Sequence, residues 1–102
     1  MIRYRGYKID RRARTISDGV VTCQFGPQQF TVAAALVLGG PHTCRQLVAL
    51  LFSDREDGGP DDAARCVWTL VAQANERLRL AGFSFKLARL HPCSFLYEMV
   101  GL

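Results

Sequence analysis

The chain has 102 residues, which is enough for one domain with a modest hydrophobic core. Hydrophobic residues make up 49% of it and charged residues 22%, a balance that predicts a folded chain and excludes a disordered one. No apolar run approaches the roughly 20 residues of a membrane-spanning helix, and the N-terminus lacks the apolar region of a signal peptide. We therefore expect a single cytoplasmic domain over residues 1–102, with no membrane partner.

The net charge of +4 is concentrated at the N-terminus. Residues 1–14 hold six basic residues against one acidic residue, a net of +5, whereas residues 15–102 hold seven basic and eight acidic residues, a net of −1. The six basic residues are Arg3, Arg5, Lys8, Arg11, Arg12 and Arg14. They are interpreted as a solvated edge that opposes strand pairing or, alternatively, as a contact for DNA or an acidic partner.

The first forty residues predict short strands followed by a buried helix. Ser17-Asp18-Gly19 is typical of a hairpin turn and separates two strand-like segments, residues 13–16 and 20–23. Gly26-Pro27 suits a helix start, because glycine is an acceptable cap and proline fits the first helical position. The helix that follows is apolar almost all round until Gly39-Gly40-Pro41, so we expect it to be the central buried helix.

Two helix starts carry the pattern of a capping box, in which a glutamine returns to the backbone of the residue three positions earlier. Gln29 stands in this relation to Gly26, and Gln46 stands in it to Thr43. The second box opens a short helix, which leads into a polar loop at residues 53–60 with three acidic residues and two glycines.

The third helix and the hairpin after it carry the most functional information. Pro60-Asp61-Asp62 predicts the helix start and Gly82 its left-handed end. The apolar face has helical spacing and consists of Val67, Leu70, Val71, Ala74 and Leu78. Two short apolar strands, 83–90 and 95–100, follow around a turn at 91–94. A helix that feeds into a β-hairpin is the layout of a winged helix. The predicted fold is α+β, a winged helix-turn-helix with N-terminal antiparallel strands, three helices and a C-terminal β-hairpin wing.

This order of motifs resembles the winged-helix effector domain of OmpR/PhoB-type response regulators over nearly the whole chain. Residues 25–30 resemble that family's leucine-threonine-proline-x-glutamate-phenylalanine helix start, and 43–47 resemble its second-helix start. Residues 85–89 resemble its first wing strand and 95–97 its last. The resemblance implies a stand-alone, DNA-binding transcriptional regulator without a receiver domain. It also implies that loop 53–60 contacts RNA polymerase or another regulator, and that the protein can form a homodimer.

The outward face of the third helix supplies the predicted base contacts. With Val67 at the core and 100° per residue, this face includes Arg65, Thr69 and Gln73. Arginine and glutamine can form bidentate hydrogen bonds with guanine and adenine, and threonine can meet a thymine methyl group. The alternative is an ordinary solvated helix face.

Basic residues outside the third helix supply the predicted backbone contacts. Strand alternation exposes Lys86, and Arg89 matches the wing arginine of the family that the chain resembles. Arg45 stands at the start of the second helix, where N–H groups and the helix dipole attract phosphate, although a solvent-facing arginine is equally compatible. The predicted DNA-binding residues are Arg45, Arg65, Thr69, Gln73, Lys86 and Arg89.

The sequence predicts neither an enzyme nor a metal site. It has no G-x-S-x-G motif, phosphate loop, H-E-x-x-H motif or paired carboxylates. The four cysteines form no C-x-x-C pair, so we expect buried or incidental thiols, with no metal and no cofactor. The alternative is a zinc site built from the pairs His42/Cys44 and His91/Cys93 together with Cys66.

A second class of function stays open, namely a protein-interaction module that keeps the fold without binding DNA. The near-neutral charge after residue 14 favours it. Residues 72–77 also favour it, because they are not rich in arginine although the resembled family carries an arginine-rich segment at this place. Trp68 lies on the outward face of the third helix, as a lid over the core edge or as the anchor of a partner surface. A basic surface that joins Arg65, Arg45 and the wing would favour DNA.

Overall fold

The computed structural model describes residues 2–4, 6–53, 62–89 and 96–101. The N-terminal strands are β1 (Ile2–Tyr4), β2 (Tyr7–Asp10), β3 (Thr15–Ser17) and β4 (Thr22–Gln24). The middle of the chain forms α1 (Pro27–Gly39), β5 (His42–Thr43), α2 (Cys44–Leu51) and α3 (Ala63–Ala81). The C-terminal hairpin consists of β6 (Phe85–Arg89) and β7 (Leu96–Gly101). The predicted α+β class, with three helices and a C-terminal hairpin, is confirmed.

The described strands form two antiparallel sheets. The first has the order β1-β2-β3-β4, and Ile9, Ile16 and Cys23 lie opposite one another on its buried face. The second has the order β5-β7-β6, so the short strand before α2 pairs with the last strand of the hairpin. The sequence analysis did not predict β5, because a strand of two residues has no periodicity to detect.

The turn between β3 and β4 is longer than predicted, and the strands are shifted accordingly. Asp18 Oδ1 accepts hydrogen bonds from the backbone N–H groups of Val20 and Val21, both at 2.8 Å. These bonds hold residues 18–21 as a turn, and Val20, which was predicted to begin a strand, is 91% exposed. The carboxylate of Asp18 therefore stabilises the turn by accepting hydrogen bonds from the turn's own backbone.

The two glutamine caps are confirmed. The N–H of Gly26 donates to Gln29 Oε1 at 3.1 Å, and this cap is one-sided because glycine has no side chain. The second cap is reciprocal, since the N–H of Thr43 donates to Gln46 Oε1 at 2.8 Å and the N–H of Gln46 donates to Thr43 Oγ1 at 3.1 Å. Asp62, the residue before α3, makes no side-chain cap, and the predicted start at residues 60–61 lies outside the described residues.

The core is built around α1, as predicted. The buried residues of this helix are Phe30, Val32, Ala33, Ala34, Leu36 and Val37. α3 packs against α1 through a buried seam that consists of Val67, Val71, Ala74 and Leu78. Gly82 ends α3 in the left-handed conformation at φ 87°. The predicted rotation of α3 about its axis is therefore confirmed. Among the described helices, none has the length and apolar content needed to cross a bilayer.

Replacing Val71 by Asp should unfold the domain. The side chain is only 6% exposed, so the new carboxylate would be buried without a partner. Such a change costs several kcal/mol, against a total stability of roughly 5–15 kcal/mol. Ala72→Asp on the exposed side of the same turn is the control, with an expected loss below about 1 kcal/mol. Equal melting temperatures for the two variants would contradict the buried position of Val71.

Asp18 should make the fold weaken in acid. Hydrogen bonds from the N–H groups of Val21 and Val20 hold the pKa of this carboxyl below its ordinary value. Its stabilising contribution is therefore complete above the unfolded-state pKa of about 3.9 and is lost as the pH falls through the lower folded-state pKa. Asp18→Asn keeps an acceptor oxygen but does not titrate. Denaturation of both proteins from about pH 6 downward should show the smaller acid-induced loss in the variant. Parallel curves would contradict this role of Asp18.

Candidate nucleic-acid interface

The face of α3 opposite the buried seam is polar and exposed. The exposed residues on this face include Arg65, Thr69, Ala72, Gln73, Glu76, Arg79 and the apolar Leu80. Trp68 lies among them and is 61% exposed, so it does not cover the edge of the core. The structure confirms the predicted outward placement of Arg65, Trp68, Thr69 and Gln73.

The three predicted base-contacting residues lie side by side. Arg65, Thr69 and Gln73 are separated by one helical turn each and line one open groove of about 400 Å³. Gln28 and Phe52 form its other wall. Side chains at i, i+4 and i+8 follow one another along one face of a helix, so these three form a continuous exposed ridge beside the groove, the α3 ridge. Asp62 also lines the groove and brings a negative charge close to Arg65.

Gln73 is held by a hydrogen bond that the sequence did not indicate. Gln29 Nε2 donates to Gln73 Oε1 at 2.9 Å, while Gln29 Oε1 caps Gly26. The amide oxygen of Gln73 is therefore engaged, and its N–H groups are the part that can be offered to a base. A bidentate contact with adenine uses the oxygen as well, so the oxygen would have to accept a second hydrogen bond or exchange the one from Gln29.

The other predicted DNA-binding residues lie around α3. Arg45 is exposed in the first turn of α2 and borders a shallow cavity with Ala64, the neighbour of Arg65. Lys86 is exposed on β6 between two buried side chains, as strand alternation predicted. Arg89 pairs with Tyr97 through the hairpin register, and its side chain lies outside the described residues. Loop 53–60, the predicted contact for RNA polymerase, also lies outside them except for residue 53.

Asn75 fastens the hairpin to α3. Asn75 Nδ2 donates to the carbonyl oxygen of Leu87 at 2.7 Å, and the N–H of Leu87 donates to Asn75 Oδ1 at 2.7 Å. β6 is an outer strand of its sheet, so one amide side chain satisfies both backbone groups that Leu87 turns away from β7. This role is not predictable from the sequence, because an asparagine within a helix is usually exposed and carries no local pattern.

Arg77 fastens the N-terminal sheet to the opposite side of α3. Its Nη1 donates to the carbonyl oxygen of Gln24, the last residue of β4, at 3.0 Å. The hairpin and the N-terminal sheet are therefore each held to α3 by a side chain of that helix. The exposed ridge of α3 lies between these two attachments.

The exposed face of α3 has one internal ion pair. Arg79 Nε donates to Glu76 Oε2 at 3.2 Å, and Arg79 Nη2 donates to Glu76 Oε1. These hydrogen bonds lower the pKa of Glu76 and raise that of Arg79. The pair offsets the negative charge of Glu76 locally, which reduces its repulsion of a phosphate but leaves Arg79 less available for binding one.

The cysteine and histidine residues in the described part of the chain form no cluster of metal ligands. Cys23 and Cys44 are buried, and burial raises the pKa of both thiols. His42 Nδ1 lies 2.8 Å from the carbonyl oxygen of Gly40. Among the described residues, no three histidine, cysteine or acidic side chains are close enough to hold a metal ion. His91 and Cys93 lie outside them, so the absence of a metal stays a prediction.

Replacing Asn75 by Ala should destabilise the protein more than a matched change nearby. The N–H and C=O of Leu87 would lose their side-chain partner at a partly buried position, which costs about 1–3 kcal/mol. Gln73→Ala removes the same chemical group from an exposed position and should cost less than about 1 kcal/mol. Denaturant unfolding of the two variants measures the difference. Equal losses would show that the amide of Asn75 does not hold the hairpin.

The sequence matches no protein-family model and no curated protein. The fold and the chemistry of the α3 face therefore carry the functional conclusion.

Proposed function

We propose that the chain is a winged-helix domain that binds double-stranded DNA and regulates transcription, in the manner of the OmpR/PhoB-type effector domains that its sequence resembles. α3 is the recognition helix, and the β6–β7 hairpin is the wing. The observation that carries the proposal is the exposed ridge of Arg65, Thr69 and Gln73, beside which Asn75 fixes the hairpin.

The dimensions of α3 suit a major groove. The groove is about 12 Å wide, and a helix with its side chains is about 10–12 Å across. Arg65 and Gln73 are eight positions apart, or about 12 Å along the axis, which spans about three to four base pairs. Arg65 is the candidate for a guanine contact, and Thr69 for a thymine methyl group.

Cations beside α3 supply the backbone contacts. Lys86 is exposed on the first wing strand, and Arg45 is exposed beside the first turn of α3. Arg89 is the third candidate for a backbone contact, because its position in the sequence matches the wing arginine of the resembled family. Phosphate contacts set the register of a protein on the duplex, whereas base contacts select the sequence. Lys86, Arg45 and Arg89 therefore orient the domain, and the ridge reads the bases.

A second candidate function is a protein-interaction module that uses the same face. Trp68 and Leu80 support it, because these large apolar side chains of α3 are 61% and 72% exposed. Tryptophan and arginine are the side chains that most often dominate the energy of a protein interface, and Trp68 is three residues from Arg65. We rank this candidate second because Arg65, Thr69 and Gln73 are side chains suited to base contacts and follow one another along one exposed face.

Arg65→Ala and Lys86→Ala should weaken DNA binding in different ways. Loss of a guanine contact by Arg65 should cost about 1–3 kcal/mol on the preferred sequence and relax the preference at one base pair. Loss of a phosphate contact by Lys86 should weaken binding to all sequences alike and reduce the slope of log affinity against log salt by about one. Selection from random duplexes, followed by salt titrations, measures both effects.

Each variant serves as the control for the other, because each removes one exposed positive charge. A uniform loss in both variants would mean that α3 contributes charge without reading bases. Undetectable duplex binding by the unmodified protein at low salt would contradict the DNA proposal and favour the protein-interaction module.

A further inference from the structure

The turn between β2 and β3 displays three arginines on a fixed backbone. Residues 11–14 form this arginine turn, and Arg11, Arg12 and Arg14 are all exposed. Asp10 Oδ1 accepts hydrogen bonds from the N–H groups of Arg12 and Ala13, at 3.0 and 3.1 Å. The carbonyl oxygen of Arg14 accepts a hydrogen bond from the N–H of Phe25 at 3.0 Å. The backbone is therefore held at both ends of the turn.

The three guanidinium groups have no partner within the described part of the chain. Asp10 is the only acidic residue among residues 1–14, and its described hydrogen bonds go to the backbone. Arg14 also has φ 56°, a left-handed conformation that is uncommon for residues other than glycine and asparagine. Mutual repulsion and the conformation of Arg14 both oppose folding. These side chains therefore do not stabilise the turn, and their charges are accessible to an anionic group.

The arginine turn lies at the end of the α3 ridge. One more helical turn extends Arg65, Thr69 and Gln73 to Arg77, which donates to the carbonyl oxygen of Gln24 at 3.0 Å. Gln24 Nε2 in turn donates to the carbonyl oxygen of Ala13, inside the arginine turn, at 3.4 Å. Two hydrogen bonds therefore connect the candidate recognition helix with the arginine turn.

The wing lies on the other side of α3. Asn75 joins the helix to Leu87, and Lys86 stands next to that residue on β6. Asn75 attaches the hairpin sheet to α3, and Arg77 attaches the N-terminal sheet. Lys86 in the first case and the arginine turn in the second therefore place exposed cations on both sides of the helix. A duplex presents the same arrangement to a helix in its major groove, with a phosphate backbone along each wall.

We propose that Arg11, Arg12 and Arg14 bind the phosphate backbone of DNA on the wall of the major groove opposite the wing. This inference rests on the proposed function and adds a second backbone contact to it. An acidic protein is the competing partner. DNA is favoured because hydrogen bonds connect the turn with the α3 ridge, which places the three arginines beside the candidate recognition helix.

The test is a salt titration of duplex binding with the triple variant Arg11→Gln, Arg12→Gln, Arg14→Asn. Asparagine tolerates the left-handed conformation, so the turn keeps its backbone. The backbone contacts by Arg45, Lys86 and Arg89 alone give a slope of log affinity against log salt of roughly −3, at about −0.9 per phosphate contact. The arginine turn should bring the unmodified protein to about −5 to −6, and the triple variant should return to the shallower slope without a change in base preference.

Two control variants separate a local contact from a change in charge or stability. Lys8→Gln removes one exposed charge from β2 outside the turn and should leave the slope unchanged. Arg12→Gln keeps the backbone hydrogen bond to Asp10 and should reduce the slope by about one. An equal reduction in both single variants would overturn the inference, because the effect would then follow net charge.

The outcomes distinguish this inference from the proposed function. If Arg65→Ala relaxes base preference while the triple variant keeps the full slope, only the contact by the turn is overturned. If the triple variant loses binding while Arg65→Ala changes nothing, the turn contact is upheld and the recognition helix is overturned. No duplex binding by the unmodified protein overturns both. An unchanged duplex slope combined with lost binding of a polyglutamate peptide would assign the turn to an acidic protein.

Discussion

The rotation of α3 about its own axis is the constraint on which the rest of the structure depends. Val67, Val71, Ala74 and Leu78 form the buried seam against α1, and each is at most 6% exposed. Full burial of a valine or leucine side chain stabilises a fold by about 1.5–3 kcal/mol. Rotating the helix by one residue would replace this seam by Trp68, Ala72, Asn75 and Arg79, which would bury a charge. The seam therefore decides which side chains face outward.

Polar side chains of α3 then fix the neighbouring elements. Asn75 holds the outer strand of the hairpin, and Arg77 holds the end of the N-terminal sheet. Gln73 is joined to the start of α1 through Gln29. These contacts arise from one helix and reach three different elements. The position of Lys86 and of the arginine turn relative to the ridge therefore follows from α3, which makes this helix the structural centre of the candidate interface.

The sequence predicted the features that depend on local spacing. Gln29 and Gln46 each accept a hydrogen bond from the backbone N–H of the residue three positions earlier. The α3 seam follows helical periodicity. The exposure of Lys86 follows from strand alternation. Each of these depends on residues within a few positions of one another, where the backbone geometry of a helix or strand determines the relation.

The features that escaped prediction depend on distant pairs. Asn75 meets Leu87 across 12 positions, Gln29 meets Gln73 across 44, and Arg77 meets Gln24 across 53. No periodic pattern encodes such pairs. The sequence likewise located the N-terminal arginines without indicating that the turn bearing three of them adjoins α3. The winged-helix identity and DNA binding stay proposals that depend on the surface these contacts assemble.

The most direct measurement of the central claim is an NMR titration of the ¹⁵N-labelled protein with a short random-sequence duplex. If the outer face of α3 binds DNA, amide shift changes should be largest between Arg65 and Glu76 and at Lys86. The buried positions Val32 and Ala33 of α1, which belong to no proposed contact, should stay unchanged. Shift changes confined to the α1–β5–α2 region, or no changes at low salt, would contradict the assignment of α3 as the DNA-binding surface.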